Sequence, residues 1–450
     1  MRTVFFACVF LAPLQAHSES PWRLTARLAA AEFVLELKAC ARGDHANVVF
    51  SLPGDPQASR SAPLRQFGAL ERVERGSWRA RAWRGGECAT FSIDLAAAAR
   101  LGAGRIRSGD EGFLLVAPQD WLWLPDSRGT DATIEFDLPE SFGVSVPWRR
   151  LADTDGRPTY ALDANPLDGP ALTAFGAFEE RVVRKPGGVL RVAVLAARGS
   201  AFAKRLDAWI DGIADVALTA SGRLPLRDAQ ILVVPIAGSS AATPWGEVQR
   251  GGGSALHLYP GAQASAQTLR EDWTATHEIS HLLHPYLGTR GRWLGEGLAS
   301  YYQNVLRARA GWMSVDAAVA SLRSGFARGR RDTTSGTTVV DASRQMHQTR
   351  NFMQVYWTGA AYWLGVDARL RRAHNTTLDA VLARYSECCL RGGDVATSER
   401  FIATLDRLSD TREFSTEFDR ASRATTFPDA HTLDALLDDP ALRTAIFAPR

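Results

Sequence analysis

His277-Glu278-Ile279-Ser280-His281 places two imidazoles and a carboxylate within five consecutive residues, and Glu296 follows fifteen positions after His281. Two histidines four apart on a helix lie on nearly the same face, so both rings can reach one ion. Glu278 would sit about 100° round that helix, beside the ligands but not among them. A carboxylate there can take a proton from a metal-bound water. Two histidines and Glu296 leave a fourth position open, which is the arrangement of a catalytic zinc rather than a structural one. The expectation is one Zn2+ per chain, held by His277, His281 and Glu296, with Glu278 as the base. No CxxC pattern competes for the metal. His284 is a poorer ligand, because pairing it with His281 leaves Glu278 without a role. It reads as structural or pocket-lining.

Two helices must carry these residues. The first is expected from about Ala264 to His284, ending before Pro285. A turn holding Gly288 and Gly291 leads to a second, starting near Trp293. Upstream, Val189 to Leu195 and Ile231 to Ile236 read as buried strands, separated by an amphipathic helix over Ala201 to Ala220. Gly251-Gly252-Gly253 precedes a further strand, Ser254 to Tyr259. That strand is expected beside the cleft, where it would pair with an extended substrate.

The flanks differ in character. Residues 17–165 are β-rich, with short runs at Phe33 to Lys38, Asn47 to Ser51, Phe113 to Ala117 and Thr133 to Leu138. Turn residues such as Pro53-Gly54-Asp55 punctuate them, a sandwich is the expected arrangement, and Leu95 to Leu101 is a helical exception. Residues 311–450 read as helical, at Val315 to Arg323, Phe352 to Arg372, Thr377 to Cys388 and Ser398 to Leu408. Thr376 and Asp379 fit a capping pattern, and residues 329–340 read as a loop.

Composition narrows the class. With 46% hydrophobic and 22% charged residues, the 450-residue chain can build two or three apolar cores. A net charge of +3 with scattered basic residues argues against nucleic acid as a partner. Arg2, the apolar run Thr3 to Leu14 and Ala16 read as a signal peptide over residues 1–16. The expected localisation is therefore secreted or periplasmic. No later segment has the apolar length of a membrane anchor. In an oxidising compartment Cys40 and Cys88 could pair. A bond between the adjacent Cys388 and Cys389 would be strained, so one is expected to pair elsewhere or stay a buried thiol.

HEISH followed by Trp293-Leu294-Gly295-Glu296-Gly297 resembles the gluzincin metallopeptidases, in which a glutamate is the third zinc ligand. The chain looks most like the glycyl-aminopeptidase-like family, and more distantly like the aminopeptidase-N family. Tyr356-Trp357-Thr358-Gly359-Ala360 is similar to a Tyr-x-x-Gly-Ala segment of both. By that match Tyr356 would donate a hydrogen bond to the tetrahedral intermediate; by patterning alone it is equally a core aromatic. The resemblance implies an α+β multidomain fold. An N-terminal β-sandwich would precede a thermolysin-like zincin catalytic domain over 166–310 and a helical C-terminal domain.

The implied activity is zinc-dependent hydrolysis of a peptide or protein substrate, of aminopeptidase type in many relatives. Two departures stand out. The amine-binding Gly-x-Met-Glu-Asn segment of aminopeptidase-N relatives has only Gly246-Glu247-Val248-Gln249-Arg250 as a counterpart, with Glu247 a weak candidate. Ser300 stands where some gluzincins keep an acidic residue behind the ligands, so the partner that orients His277 or His281 is not identified. The alternatives are a protease-fold scaffold without activity and a zinc hydrolase of a non-peptide substrate. Oligomeric state is not legible.

Overall fold

A computed structural model describes residues 21–101, 112–126, 132–162, 167, 171–196, 199–250, 252–392 and 394–449. The signal peptide expected over 1–16 lies outside these residues. In the first half, a six-stranded sheet runs in the order Thr159–Leu162, Ala132–Asp137, Trp22–Ala29, Val34–Ala41, Cys88–Asp94, Leu64–Arg65. A four-stranded sheet runs Glu71–Glu74, Ser77–Trp83, His45–Ser51, Leu124–Pro125. Strand Trp22–Ala29 shows the period of two that makes such sheets amphipathic: Trp22, Leu24, Ala26 and Leu28 are buried and their neighbours are not. The two sheets share one core, in which Phe50 of the second meets Phe91 of the first at 5.3 Å. Cys40 and Cys88 stand opposite each other in register and are disulfide-bonded.

A three-stranded sheet, Gly143–Ser145, Thr173–Gly176 and Phe113–Val116, links this half to the next. Its Leu115 and Ala174 share a core with Leu195, Leu232 and Tyr259 of the central sheet. That central sheet has five strands, in the order Glu180–Lys185, Gly188–Val194, Asp228–Val233, Ser254–Tyr259, Trp245–Arg250. Ser254–Tyr259 is buried along its whole length, which is the pattern of a strand covered on both faces. It is flanked by Asp228–Val233 on one side and Trp245–Arg250 on the other. The expectation that Ser254–Tyr259 would offer a free edge to substrate is therefore corrected: both of its edges are already paired. The turn at Gly252, with φ +68°, folds Trp245–Arg250 back antiparallel, and that strand becomes the edge.

The single helix expected from 264 to 284 is three pieces: Ala266–Glu271, Thr274–Ser280 and a 3-10 turn His281–Leu283. Asp272 is extended, and its carboxylate accepts from the Thr274 amide at 3.0 Å, so the helix stops and restarts there. Beyond it run Arg292–Arg309, Val315–Arg331, Val339–Thr349, Phe352–Ala373, Leu378–Cys388, Ser398–Ser409, Glu413–Arg423, Ala430–Asp438 and Pro440–Phe447. Arg292–Arg309 and Phe352–Ala373 cross at a pair of glycines. A Cβ on Gly359 would stand 1.8 Å from the Trp293 carbonyl, and one on Gly297 would stand 2.3 Å from Gly359 Cα. The helices of this half share one core with the central sheet.

Three expectations in this half change. The loop over 329–340 shrinks to 332–338, because helices occupy both of its ends. Thr377, not Thr376, caps its helix, accepting from the Ala380 amide at 3.1 Å. Asp379 is instead buried against Arg309 at 3.0 Å and Tyr302 at 2.8 Å. Cys388 and Cys389 are bonded to each other, since both sit where the helix Leu378–Cys388 ends and no other cysteine of that half is available. Among the described residues no helix is long and apolar enough to cross a membrane.

Arg191 ties the β-rich first half to the central sheet. Fully buried, it donates to the carbonyls of Val146 at 2.9 Å and Trp148 at 2.8 Å. It also meets Glu180 at 3.0 Å and Asp228 at 2.9 Å. Removing one member of such a cluster strands the opposite charges in the interior. Arg191→Met should therefore lower unfolding free energy by about 3–5 kcal/mol in a urea titration. An unchanged midpoint and slope would refute this account of how the two halves are joined.

Candidate metal centre

Thr274–Ser280 and the 3-10 turn that follows present His277 and His281 on one face, toward Glu296 on the helix Arg292–Arg309. Ligand atoms of the three residues lie within 4.8 Å of one another. His277 Nε2 is 3.2 Å and His281 Nε2 is 3.6 Å from the same Glu296 oxygen. Burial would raise the Glu296 carboxyl, but the two imidazoles pull it well below the carboxylate range, so it is an anion.

The opposite ring nitrogens are also held. His277 Nδ1 lies 2.8 Å from Gln303 Oε1. An amide oxygen only accepts, so Nδ1 carries a proton and Nε2 is the nitrogen turned toward Glu296; burial opposes a charge on this ring, but its bond to Glu296 raises the pKa. His281 Nδ1 lies 3.0 Å from His284 Nε2, and His284 Nδ1 lies 2.7 Å from the Pro285 carbonyl. That carbonyl requires His284 to donate from Nδ1 and accept at Nε2. His281 must then donate from Nδ1, and its Nε2 is free for a cation. Burial holds the His284 imidazole well below its ordinary pKa, consistent with a neutral relay. Two imidazoles and one carboxylate, with ligand atoms converging on one point, are the donor set that suits zinc.

Glu278 is buried beside the ligands. Burial pushes its carboxyl up to about 7, against the pull of His277. Room for it comes from the edge strand: a Cβ on Gly246 would stand 2.7 Å from Glu278 Cγ. The Tyr356 ring stacks on His277 at 5.8 Å with 17° between planes, so Tyr356 joins the site rather than the deeper core. Trp273, exposed to solvent, meets the same imidazole edge-on at 5.5 Å. Arg250, at the end of the edge strand, donates to the carbonyls of His281 at 2.6 Å and His284 at 3.1 Å. It thereby caps the end of the motif helix, where carbonyls lack partners. Glu247 is buried on the same strand, 3.3 Å from His257 Nδ1.

Each of the five residues singled out in the sequence therefore lies in one cluster. His284, read as structural or pocket-lining, stands behind His281, and the group missed is the one behind His277. Ser300, the position compared with an acidic residue, is buried, and its carbonyl accepts from Asn304. Gln303 supplies the contact instead. It falls seven residues after Glu296, two helical turns along the same face, and that spacing is the signal that could have found it.

Solved structures share this architecture at low identity. An aminopeptidase N family protein from Idiomarina loihiensis superposes with a TM-score of 0.59 and 12% identity, over 95% of this chain and 76% of that one. An M1 zinc metallopeptidase from Deinococcus radiodurans gives 0.52 and 16%, over 91% and 94%. A two-domain M1 zinc metallopeptidase, solved as a point mutant bound to L-tryptophan, gives 0.51 and 15%, over 91% and 94%. The chain has their fold. No protein-family model matches the sequence, and no curated protein does. The likeness is to the M1 type, and none of these neighbours is of the glycyl-aminopeptidase-like kind.

Gln303→Ala and His284→Ala each free one imidazole to rotate and change tautomer. Each should weaken zinc binding about 10–100-fold in competition with a chromogenic chelator, with the fold retained by circular dichroism. Parent-like affinity in both variants would show that the groups behind the ligands do not orient them.

Proposed function

We propose that this protein is a zinc metallopeptidase, secreted or periplasmic, that hydrolyses peptide bonds. The observation that carries the reading is the convergence of His277 Nε2, His281 Nε2 and Glu296 on one point, with the Glu278 carboxyl alongside. The fold shared with zinc metallopeptidases supports it.

His277, His281 and Glu296 would hold one zinc ion. Bound there, zinc would supply Lewis acidity, polarising the scissile carbonyl and making an attacking water acidic. The residues of the chain do the rest. Glu278 accepts the proton of the attacking water and passes it to the leaving amine. A carboxyl raised to about 7 by burial is suited to both halves of that transfer. The Tyr356 hydroxyl, kept protonated by burial, donates to the carbonyl oxygen as negative charge grows there. The edge strand Trp245–Arg250 is the one beside the motif helix, and it would pair with an extended peptide. Glu247 on that strand would receive the free amine of an N-terminal residue.

Two experiments test this. Glu278→Gln should keep one zinc per chain by metal analysis and lose peptide hydrolysis by about 10²–10⁴-fold. Cleavage at the parent rate would remove Glu278 from the mechanism, and absence of zinc in the parent would favour a scaffold.

Matched peptides with free and acetylated N-termini separate the modes of cleavage. If Glu247 holds the amine, Glu247→Gln raises KM for free peptides and acetylation abolishes cleavage. Equal cleavage of both peptides would make the protein an endopeptidase.

A further inference from the structure

Thirteen tryptophans stand in the chain, all among the described residues, and only two are exposed: Trp245 at 56% and Trp273 at 46%. The two flank a single contact. Trp245 precedes Gly246, Trp273 precedes Thr274, and a Cβ on Gly246 would stand 3.0 Å from Thr274 Cγ2. Isolated apolar side chains in water are ordinary, but large ones gathered at one spot mark a surface kept for a partner.

That spot is continuous with the metal centre. Trp273, His277 and His281 recur every four residues, so the face that bears the ligands runs on into the exposed indole. The Trp273 ring meets the His277 imidazole edge-on at 5.5 Å. Trp245 begins the strand Trp245–Arg250, which pairs with Ser254–Tyr259 on one side. Among the described residues no strand pairs with its other side. Gly246 faces Glu278 and Thr274, so by the alternation of a strand Trp245 points to the opposite face.

These placements define what enters. A peptide added to the outer edge of Trp245–Arg250 has a period of two of its own. One of its residues would face the motif helix and Trp273, and the next would face Trp245. Indoles offer wide, rigid apolar surface and lose little conformational freedom when covered. We propose that Trp273 and Trp245 are specificity determinants, selecting peptides with large apolar residues at two adjacent positions beside the scissile bond. That substrate class presupposes the peptidase reading.

Two hexapeptides that differ only in their central pair, Phe-Leu against Ala-Ala, provide the test. In the full-length, zinc-loaded protein kcat/KM should favour the Phe-Leu peptide about tenfold or more. In Glu278→Gln, calorimetry should show the same preference in Kd with no turnover. Trp273→Ala and Trp245→Ala should each shrink the preference about threefold or more, and Trp273→Phe should keep most of it, with circular dichroism unchanged. Equal affinity of Glu278→Gln for both peptides overturns the proposal, even where the parent cleaves both. So does a preference that survives both alanine variants. A dimer that the alanine variants dissolve, with peptide preference unchanged, assigns the two indoles to a second copy of the chain and overturns it as well. Selective binding without cleavage by the parent would instead remove hydrolysis and keep the apolar peptide site.

Discussion

Two imidazole nitrogens facing one partly buried carboxylate oxygen set the terms for everything around them. His277, His281, Glu278 and Glu296 are mostly withdrawn from water, and buried polar groups are costly unless each finds a partner. The protein meets that demand from behind. Gln303 takes the outer nitrogen of His277, and His284 takes that of His281 and hands its own proton to the Pro285 carbonyl. Arg250 takes the carbonyls at the end of the motif helix. The same contacts that satisfy these groups also select one tautomer at each ring. The inner nitrogens are thereby turned toward Glu296, and electrostatics and orientation are one arrangement.

Such an arrangement needs close approach, and glycine supplies it. Gly246 lets the edge strand lie against Glu278, and Gly295 leaves space for His284, whose Cε1 would be 2.8 Å from an added Cβ. Gly297 and Gly359 let the helix bearing Glu296 press against the one bearing Tyr356. Tyr356 lies just before Gly359 on that second helix, and its ring reaches His277 from the crossing. The third ligand and the candidate oxyanion donor thus come from two helices locked together at one place.

The β-rich half is joined to this machinery by charge as well as by apolar contact. Arg191 is wholly buried with Glu180 and Asp228, and two backbone carbonyls of the first half complete its shell. Buried ion clusters of this kind gain little net stability over apolar packing, but they tolerate few geometries. A site built beside the edge strand of the central sheet benefits from that, since both of its walls are then held in register.

Local pattern was enough for the elements whose residues carry their own signal. Ser254–Tyr259 and Leu95–Leu101 have the bounds their sequences imply, because a short, mostly apolar run after a glycine turn and a short alanine-rich segment need no distant partner to be recognised. The spacing of His277, Glu278 and His281 states a chemistry by itself, and Glu296 follows at a distance that suits a returning helix. The rest depends on pairing between residues far apart. Whether Ser254–Tyr259 or Trp245–Arg250 is the edge turns on which neighbours pair with each, which hydropathy does not encode. Asp379 resembles a capping residue until Arg309, seventy positions away, is brought against it. Gln303 and His284 acquire their roles only when two helices meet and their polar atoms must be satisfied. The sequence by itself determined which side chains can hold a metal and which can move a proton. The tertiary structure alone decided their tautomers, their supports and the strand that faces them, because those follow from burial and from contacts between distant segments.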